Sequence, residues 1–410
     1  MLKTIIRQKI WPMASTLLQE AFNRDRSPGT VAIILPFLRH IAQATKGMDQ
    51  ELLDLGFLAT ILRISGRWQD AEDILRPLIA KFAEKHDFKS ARVASLSLFY
   101  ILLNTSRFRD ALELTEERKT YTQRAGLGVW FQIEDEVMKL QALNSTGSYE
   151  NVLRETDKLR IQIRSLAKDI DEEKLAVPWN VIEVLLDTGR QAALQLENYE
   201  QALMLNAELA NLKKSRGTTD LDMANVNFND YGPFLRLNRY NEAEKLLWAC
   251  KDVFEKEKSI EGLSKVFTAL ADLVHQLGQS ARAIGFEETA LRYSYSVGNP
   301  KDISISHNNL ANYLGEAEFK SSQDHRLAAA IIRYQIVSEM LDKSLGGLAY
   351  YLNIFGPEAL PDSFDQLCDR VEKVDGVRFR ELWSRLPKRA EDGDQLLKEL
   401  IDMAKSASHE

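Results

Sequence analysis

The segment SGRWQDAEDIL, residues 65–75, returns in recognisable form along the whole chain. Each copy combines a turn, an aromatic or small residue, and a helix that opens on a small residue. Five further copies are TSRFRDALEL (105–114), TGSYENVLRE (146–155), LENYEQALML (196–205), LNRYNEAEKLL (237–247) and LGQSARAIGF (277–286). A weaker seventh copy is SQDHRLAAAII (322–332). Self-similarity of this kind predicts a repeat architecture.

The small-residue position of the copies returns at a nearly constant interval. The spacings are 40, 41, 50, 41, 40 and 45 residues between Ala71, Ala111, Val152, Ala202, Ala243, Ala283 and Ala328. Roughly forty residues accommodate two helices of about 15 residues and two short turns. Within the copies, apolar residues recur three and four positions apart, and no run alternates with period two. The chain is therefore predicted to be all-α.

The composition is that of a soluble protein with a sizeable core. Of the 410 residues, 45% are hydrophobic and 28% are charged, which argues against disorder. The net charge of -7 argues against a general nucleic-acid binder, which usually carries a basic face. Cys250 and Cys368 are the two cysteines, so we expect a reducing compartment and no disulfide framework.

The N-terminal segment does not match a targeting signal. Lys3, Arg7 and Lys9 interrupt its apolar residues, whereas a signal peptide needs an unbroken apolar stretch. The longest apolar run, VAIILPFL (31–38), is far shorter than the roughly 20 residues that span a bilayer. We expect a cytoplasmic protein without membrane contact. Binding of the basic, amphipathic N-terminus to a membrane surface is the alternative to a helical cap.

Two stretches, LATILRISGRWQDA (58–71) and LADLVHQLGQSARA (270–283), resemble the tetratricopeptide repeat (TPR), a helix–turn–helix unit. In that family a small residue on each helix packs against the other, and an aromatic residue fills the turn. Other copies depart from this pattern, since Val152 replaces the alanine and Ser280 replaces the aromatic residue. The resemblance covers roughly residues 49–340, about seven repeats, and the long period is similar to that of long-helix members of the family.

The resemblance implies a right-handed superhelical solenoid of about seven TPR-like helix pairs with helical caps at both ends. Residues 1–48 are predicted to form a basic N-terminal cap, residues 49–340 the array, and residues 341–410 a C-terminal cap. Glycines and prolines interrupt the pattern after residue 342, and two short helices are predicted at 376–387 and 394–405. Caps of this kind cover the last apolar face of a solenoid.

The C-terminal tail is similar to the ends of large bacterial repeat proteins in which such arrays accompany signalling ATPase or caspase-like domains. This similarity implies a bacterial signalling or defence setting and a separate effector protein.

Motifs that carry catalysis are missing from the sequence. There is no GxxxxGK[ST] loop, no GxSxG elbow, no HExxH pair and no CxxC pair. The six histidines are interpreted as packed or surface residues. We therefore expect no enzymatic activity, no cofactor and no metal site, and a hydrolase would need an acid cluster that no motif announces.

The concave face of such a solenoid is lined by the first helix of each pair. The resemblance implies that this face holds a protein or peptide, commonly through asparagine amides, which both donate and accept hydrogen bonds. Alignment with the repeat pattern places these candidates there: Arg63, Asn229, Arg236, Lys265, Thr268, Asp272, His275, Asn308 and Asn312. The alternative for each is an ordinary polar residue on an exposed helix face. A clamp for C-terminal carboxylates is not expected, because Leu96, Val137 and Phe228 occupy its positions.

Charge is unevenly distributed along the chain. Residues 1–48 carry a net charge of +5, so the remainder carries -12. This predicts a basic docking end around Arg24 and Arg26 for an acidic partner or a neighbouring protomer. The alternative is an uneven surface without a partner.

The sequence favours a non-enzymatic scaffold or sensor that captures a protein or peptide in its groove. The alternative is a regulatory receptor for a short signal peptide that releases a bound protein. The identity of the partner and the oligomeric state are left open by the sequence.

Overall fold

The computed structural model describes residues 10–24, 28–48, 50–166, 178–338, 340–357, 360–387 and 389–407. Helices are the only regular elements in these ranges, so the predicted all-α solenoid class is confirmed. The chain divides into two compact units, Met1–Gln201 and Ala202–Glu410, called here the N-terminal unit and the C-terminal unit.

The N-terminal unit contains nine helices among its described residues. They are α1 (Trp11–Arg24), α2 (Pro28–Ala44), α3 (Glu51–Ile64), α4 (Trp68–Glu84), α5 (Phe88–Asn104), α6 (Phe108–Arg124), α7 (Val129–Ser145), α8 (Tyr149–Leu166) and α9 (Pro178–Gln195).

Helix α10 (Tyr199–Ser215) begins at the unit boundary and lies mostly in the C-terminal unit. The helices that follow are α11 (Asp220–Phe228), α12 (Tyr231–Arg236), α13 (Tyr240–Lys256), α14 (Ile260–Gln276), α15 (Ser280–Val297), α16 (Pro300–Leu314), α17 (Phe319–Gln335), α18 (Leu341–Phe355), α19 (Phe364–Val371), α20 (Phe379–Arg385) and α21 (Gly393–Ala407).

The repeated segments correspond to seven helices, α4, α6, α8, α10, α13, α15 and α17. Another helix ends just before the turn that opens each of them, as the spacing predicts. The small-residue position is at most 1% exposed in all seven copies. A larger side chain would separate the packed helices at this point, which is why the position recurs.

The turns between paired helices place one residue in the left-handed region. In the first turn this is Gly66, at φ 71°. The Arg67 amide donates to the Leu62 carbonyl at 2.9 Å and thereby satisfies the end of α3. Ser106, Glu197 and Asn238 take the same conformation in later turns. Glycine is therefore favoured but not required in these turns.

Helices α1 (Trp11–Arg24) and α2 (Pro28–Ala44) form an additional pair that is fixed to the first repeat by a buried carboxylate. Asp54 on α3 is fully buried and accepts hydrogen bonds from Ser15 on α1 at 2.6 Å and from Thr45 at 2.7 Å. Gln50 donates to the same carboxylate at 3.0 Å. Because a buried carboxylate is costly without partners, this group fixes α1 and α2 against α3.

The seventh repeat is enclosed by the tail. All residues from Ser322 to Arg333 on α17 are buried, because α16, α18, α19 and α21 pack around this helix. The two short helices predicted in the tail are confirmed as α20 and α21. This part of α17 therefore has no solvent-exposed face, whereas a repeat helix in the middle of an array has one.

A break divides the first helix of the fifth pair into α11 and α12. The side-chain amide of Asn206 on α10 donates to the Val226 carbonyl at 2.9 Å and to Asp230 at 2.8 Å. Pro233 lies in the first turn of α12, where the missing N–H costs no helix hydrogen bond. The break places Phe228 and Tyr231 beside each other, with ring centroids 4.9 Å apart.

Arg92 and Arg118 are buried in the N-terminal unit and share two acidic partners. Arg92 on α5 and Arg118 on α6 both donate to Asp135 on α7 at 2.9 Å, and both pair with Glu134. Thr122 also donates to Asp135. Two cations and two anions therefore balance inside the packed layer of three helices, as buried charges require.

Two histidines meet in the core of the C-terminal unit. The Nδ1 atoms of His307 on α16 and His325 on α17 lie 2.8 Å apart, so one imidazole donates to the other. The Tyr295 hydroxyl lies 2.8 Å from Nε2 of His307. Burial lowers the pKa of both rings, that of His325 to about 4, because a buried imidazolium is poorly solvated.

Candidate functional site

The larger of two candidate surfaces is an open groove in the N-terminal unit, called here the N-terminal groove. Its volume is about 720 Å³, and its walls come from α1, α3 and α5. Leu75, Leu78 and Phe82 on α4 form part of its floor. This arrangement follows from the repeat, since alternate helices of stacked pairs lie side by side on one face.

Apolar side chains project into this groove with no cover from the described chain. Leu53 on α3 is 63% exposed and Val93 on α5 is 67% exposed, and both line the groove. Ile64 lines it near the end of α3 and is 41% exposed. Apolar residues of this size grouped in one concavity are typical of a binding surface.

The charge of the N-terminal groove is positive. Among its lining residues the charged ones are Arg63 and Lys89, both cationic. The Nε atom of Arg63 is buried and makes no hydrogen bond within the described chain. An anionic group in the groove would satisfy this donor, because a buried N–H without a partner is unfavourable.

The second surface is a cavity of about 180 Å³ in the C-terminal unit, called here the C-terminal pocket. Its residues come from α11, α12, α14, α15 and α16. The lining consists of Phe228, Tyr231, Glu261, Ser264, Lys265, Thr268, Ser294, Val297, Asp302, Ile305 and Ser306. A cavity of this size holds a head group rather than a whole peptide.

One wall of the C-terminal pocket carries hydroxyl groups. The hydroxyls of Ser264 and Ser294 lie 2.7 Å apart, and that of Ser306 lies 3.4 Å from Ser294. Another wall carries the aromatic pair of Phe228 and Tyr231. A hydroxyl oxygen accepts hydrogen bonds and an aromatic face attracts cations, so both walls are compatible with a cationic group.

Glu287 on α15 lies behind the wall of the C-terminal pocket and is fully buried. The Thr268 hydroxyl donates to its Oε1 atom at 3.4 Å, and its Oε2 atom has no partner within the described chain. Burial raises the pKa of Glu287 to about 8, although Ser306, Thr268 and Asn309 oppose the shift. Without a ligand, the Glu287 carboxyl group is therefore mostly protonated at neutral pH.

Four of the sequence-predicted residues lie on α14 around this region. Lys265 and Thr268 line the C-terminal pocket. Lys265 is exposed and pairs with Glu261 at 2.5 Å. Asp272 is half-buried, and the exposed His275 packs on Tyr313 with ring centroids 4.8 Å apart.

Two predicted asparagines on α16 already have intramolecular partners. The side-chain carbonyl of Asn308, in a residue only 8% exposed, accepts from Arg333 at 3.4 Å. That of the exposed Asn312 accepts from Arg326 at 3.0 Å. A peptide that uses either amide oxygen has to compete with these arginines.

The remaining predicted residues are distributed over both units. Arg63 lines the N-terminal groove. Asn229 is half-buried at the break between α11 and α12, and Arg236 is exposed at the end of α12. Arg24 is exposed at the end of α1, next to the groove residue Asn23, and Arg26 lies outside the described residues.

Sequence reasoning missed Glu287 and the exposed apolar residues of the N-terminal groove. Glu287 falls on the buried stripe of α15, between Ala283 and Ala290. An ionisable residue on such a stripe is a usable signal, because a carboxyl group is rarely buried without a reason. Leu53 and Val93 were not distinguishable from core residues by periodicity alone.

The described ranges also bear on metal binding and on membrane crossing. They contain no group of three or more histidine, cysteine or acidic residues placed to hold a metal ion. Nor does any helix described in the structure combine the length and apolar character needed to cross a membrane.

No protein-family model matches this chain, and no curated protein matches its sequence. Its fold is similar to that of a STAND protein with a tetratricopeptide repeat sensor from Pyrococcus horikoshii, with a TM-score of 0.57 and 11% identity. That match covers 96% of this chain and 55% of the archaeal protein. The resemblance to TPR proteins is thereby confirmed at the level of the fold.

Two further solved structures are similar over part of their length. RapI in its apo form matches with a TM-score of 0.48 and 12% identity, over 77% of this chain and 86% of RapI. BtubC from P. vanneervenii matches with a TM-score of 0.42 and 16% identity, over 60% of this chain and 96% of BtubC.

Proposed function

We propose that this protein is a non-enzymatic scaffold or sensor whose N-terminal groove binds a protein segment carrying apolar side chains and a carboxylate. The observation that supports the proposal most is the combination of exposed Leu53 and Val93 with the unpartnered Nε of Arg63 in one groove. Apolar contacts supply affinity and the cations select the charge of the ligand.

The basic end of the chain extends the same preference. Arg24 is exposed next to the groove, and residues 1–48 carry a net charge of +5. An acidic segment would be attracted over a distance of about 10 Å at moderate salt. Both hypotheses therefore require an acidic partner: the docking end at Arg24 and Arg26, and the groove at Arg63.

The proposed setting is bacterial signalling or defence with a separate effector protein. The similar archaeal structure is a signal-transduction ATPase with a TPR sensor. In the present proposal the array senses a segment and another chain carries out the response.

The proposal predicts which peptides bind and which substitution prevents binding. A displayed random-peptide library selected on the full chain should give a consensus of apolar and acidic residues. Val93→Asp should lower the affinity for the synthetic consensus peptide at least tenfold, because it places a negative charge in the apolar wall. Fluorescence anisotropy measures this affinity. Arg63→Ala should lower the same affinity about tenfold.

Ile161→Asp is the matched control, because Ile161 on α8 is 69% exposed and does not line the groove. It should leave binding unchanged. A selected consensus without acidic residues, or equal binding by the Val93→Asp and Ile161→Asp variants, would contradict the proposal. The Arg24→Glu, Arg26→Glu double variant should reduce the salt dependence of binding.

A further inference from the structure

The C-terminal pocket differs in charge from the N-terminal groove, and a buried acid, Glu287, lies close to it. We propose that the C-terminal pocket binds a cationic nitrogen group, an alkylammonium or a guanidinium, with Glu287 as its buried counter-charge. The ligand class is identified from the charges, walls and hydrogen-bond acceptors of the pocket.

The charge of the pocket lining favours a cationic ligand. The pocket is lined by two acidic residues, Glu261 and Asp302, and by one cation, Lys265. The ion pair between Lys265 and Glu261, at 2.5 Å, compensates the cation. Asp302 then remains as an acidic group on the lining, and the field inside a narrow concavity favours a positive ligand.

A carboxyl oxygen close to the residues of the pocket has no hydrogen-bond partner among the described residues. Oε2 of Glu287 is buried and makes no hydrogen bond within the described chain. Thr268 and Ser306 line the pocket and also act on the Glu287 carboxyl group. Two hydroxyl groups are therefore shared between the cavity lining and the surroundings of the acid, and a hydroxyl can accept from a cation and donate to the carboxylate at the same time.

Part of the pocket lining is apolar and aromatic. Tyr231 and Phe228 offer ring faces, and Val297 and Ile305 offer aliphatic surface. A cation with a short alkyl stem fits such a wall, since the stem is buried and the nitrogen interacts with the rings. An anionic ligand would gain nothing from these faces.

Cation binding should release a proton, because the pKa of Glu287 is raised to about 8 in the free protein. The groups that face this carboxyl group are Thr268 and Asp272 on α14, Ser306, Asn309 and Tyr313 on α16, and Tyr231 on α12. Of these, Asp272 disfavours the ionised form of Glu287. A bound cation favours the ionised form, so affinity should rise with pH up to about 8 and then level off.

The test uses n-butylguanidinium and n-butylammonium as cations, with 1-pentanol and butyrate as neutral and anionic probes. Isothermal titration of the full chain should detect both cations and neither control. Affinity should rise about tenfold between pH 6 and pH 7, and titration in buffers of different ionisation enthalpy should show release of about one proton at pH 7. The cation that binds with the higher affinity shows whether the pocket prefers a guanidinium or an alkylammonium group.

Glu287→Gln is the decisive variant, since glutamine resembles the protonated acid and should preserve the fold. It should lower cation affinity at least about fiftyfold at pH 8 and abolish the pH dependence. Lys265→Met should increase affinity, and Glu288→Gln, which changes the adjacent residue, should have no effect. Absence of cation binding, equal binding of 1-pentanol, or unchanged pH dependence in Glu287→Gln would overturn the proposal, and none of these results bears on the N-terminal groove.

Discussion

Replacing Asp135 by alanine is expected to lower the local unfolding free energy of α5, α6 and α7 by about 3–5 kcal/mol. Asp135 is only 2% exposed and accepts hydrogen bonds from Arg92, Arg118 and Thr122. Without it, two buried guanidinium groups share the single carboxylate of Glu134. The uncompensated charge is the source of the loss.

Amide hydrogen exchange of peptides from residues 88–145 measures this change, because it reports local opening rather than one global transition. Glu136→Ala is the matched control. Glu136 lies on α7 beside Asp135 and pairs with Lys119 on α6, and both side chains are accessible to solvent. Accessible ion pairs contribute about 1 kcal/mol or less. Equal exchange in the Asp135→Ala and Glu136→Ala variants would show that the buried network does not stabilise this layer.

The second large effect is the loss, on acidification, of the stability that the buried histidine His325 contributes to the C-terminal unit. The pKa of His325 is lowered to about 4 in the folded chain from its ordinary value of 6.5, because the ring is buried. Below pH 6.5 the unfolded chain therefore binds a proton that the folded chain does not. The contribution of His325 to stability is complete above pH 6.5 and falls as the pH decreases towards 4, by about 2 kcal/mol at pH 5.

The contribution of the histidines has to be separated from that of nearby acids. Burial raises the pKa of Asp324 to about 6 and that of Glu287 to about 8, and each contributes the opposite slope. The measured quantity is therefore the change in urea midpoint between pH 7.5 and pH 5, compared between the natural chain and His325→Asn. Once the midpoints are converted to free energies, the change on acidification should be about 2 kcal/mol more destabilising for the natural chain than for the variant, because the acids contribute equally to both.

His86→Asn is the control for this comparison. His86 is exposed in a turn at φ 58°, a conformation that asparagine tolerates. This variant should retain the pH response of the natural chain. An identical response of the His325→Asn variant would exclude the histidine pair as its cause.

The candidate sites were only partly predictable from the sequence. Thr268 and Lys265 were selected because the repeat pattern places them on a first helix, and both line the C-terminal pocket. The pattern could not specify that Asn308 and Asn312 have arginine partners on the next helix, Arg333 and Arg326. Long side chains reach across helices, and which one fills a gap depends on the packing of three elements at once.

The sequence by itself determined the helix-pair repeat, because its signals are local: a small residue returns about every forty positions and turn residues precede it. Helix periodicity and turn chemistry act over a few residues, so they remain visible in one dimension.

Only the tertiary structure decided which buried polar groups have partners. Arg92 and Asp135 are 43 residues apart, and Ser15 and Asp54 are 39 apart. It also decided that Arg63 Nε and Glu287 Oε2 have no partner in the described chain. Burial and pairing depend on side chains from several distant segments, and the free energy of a buried charge depends on all of them together.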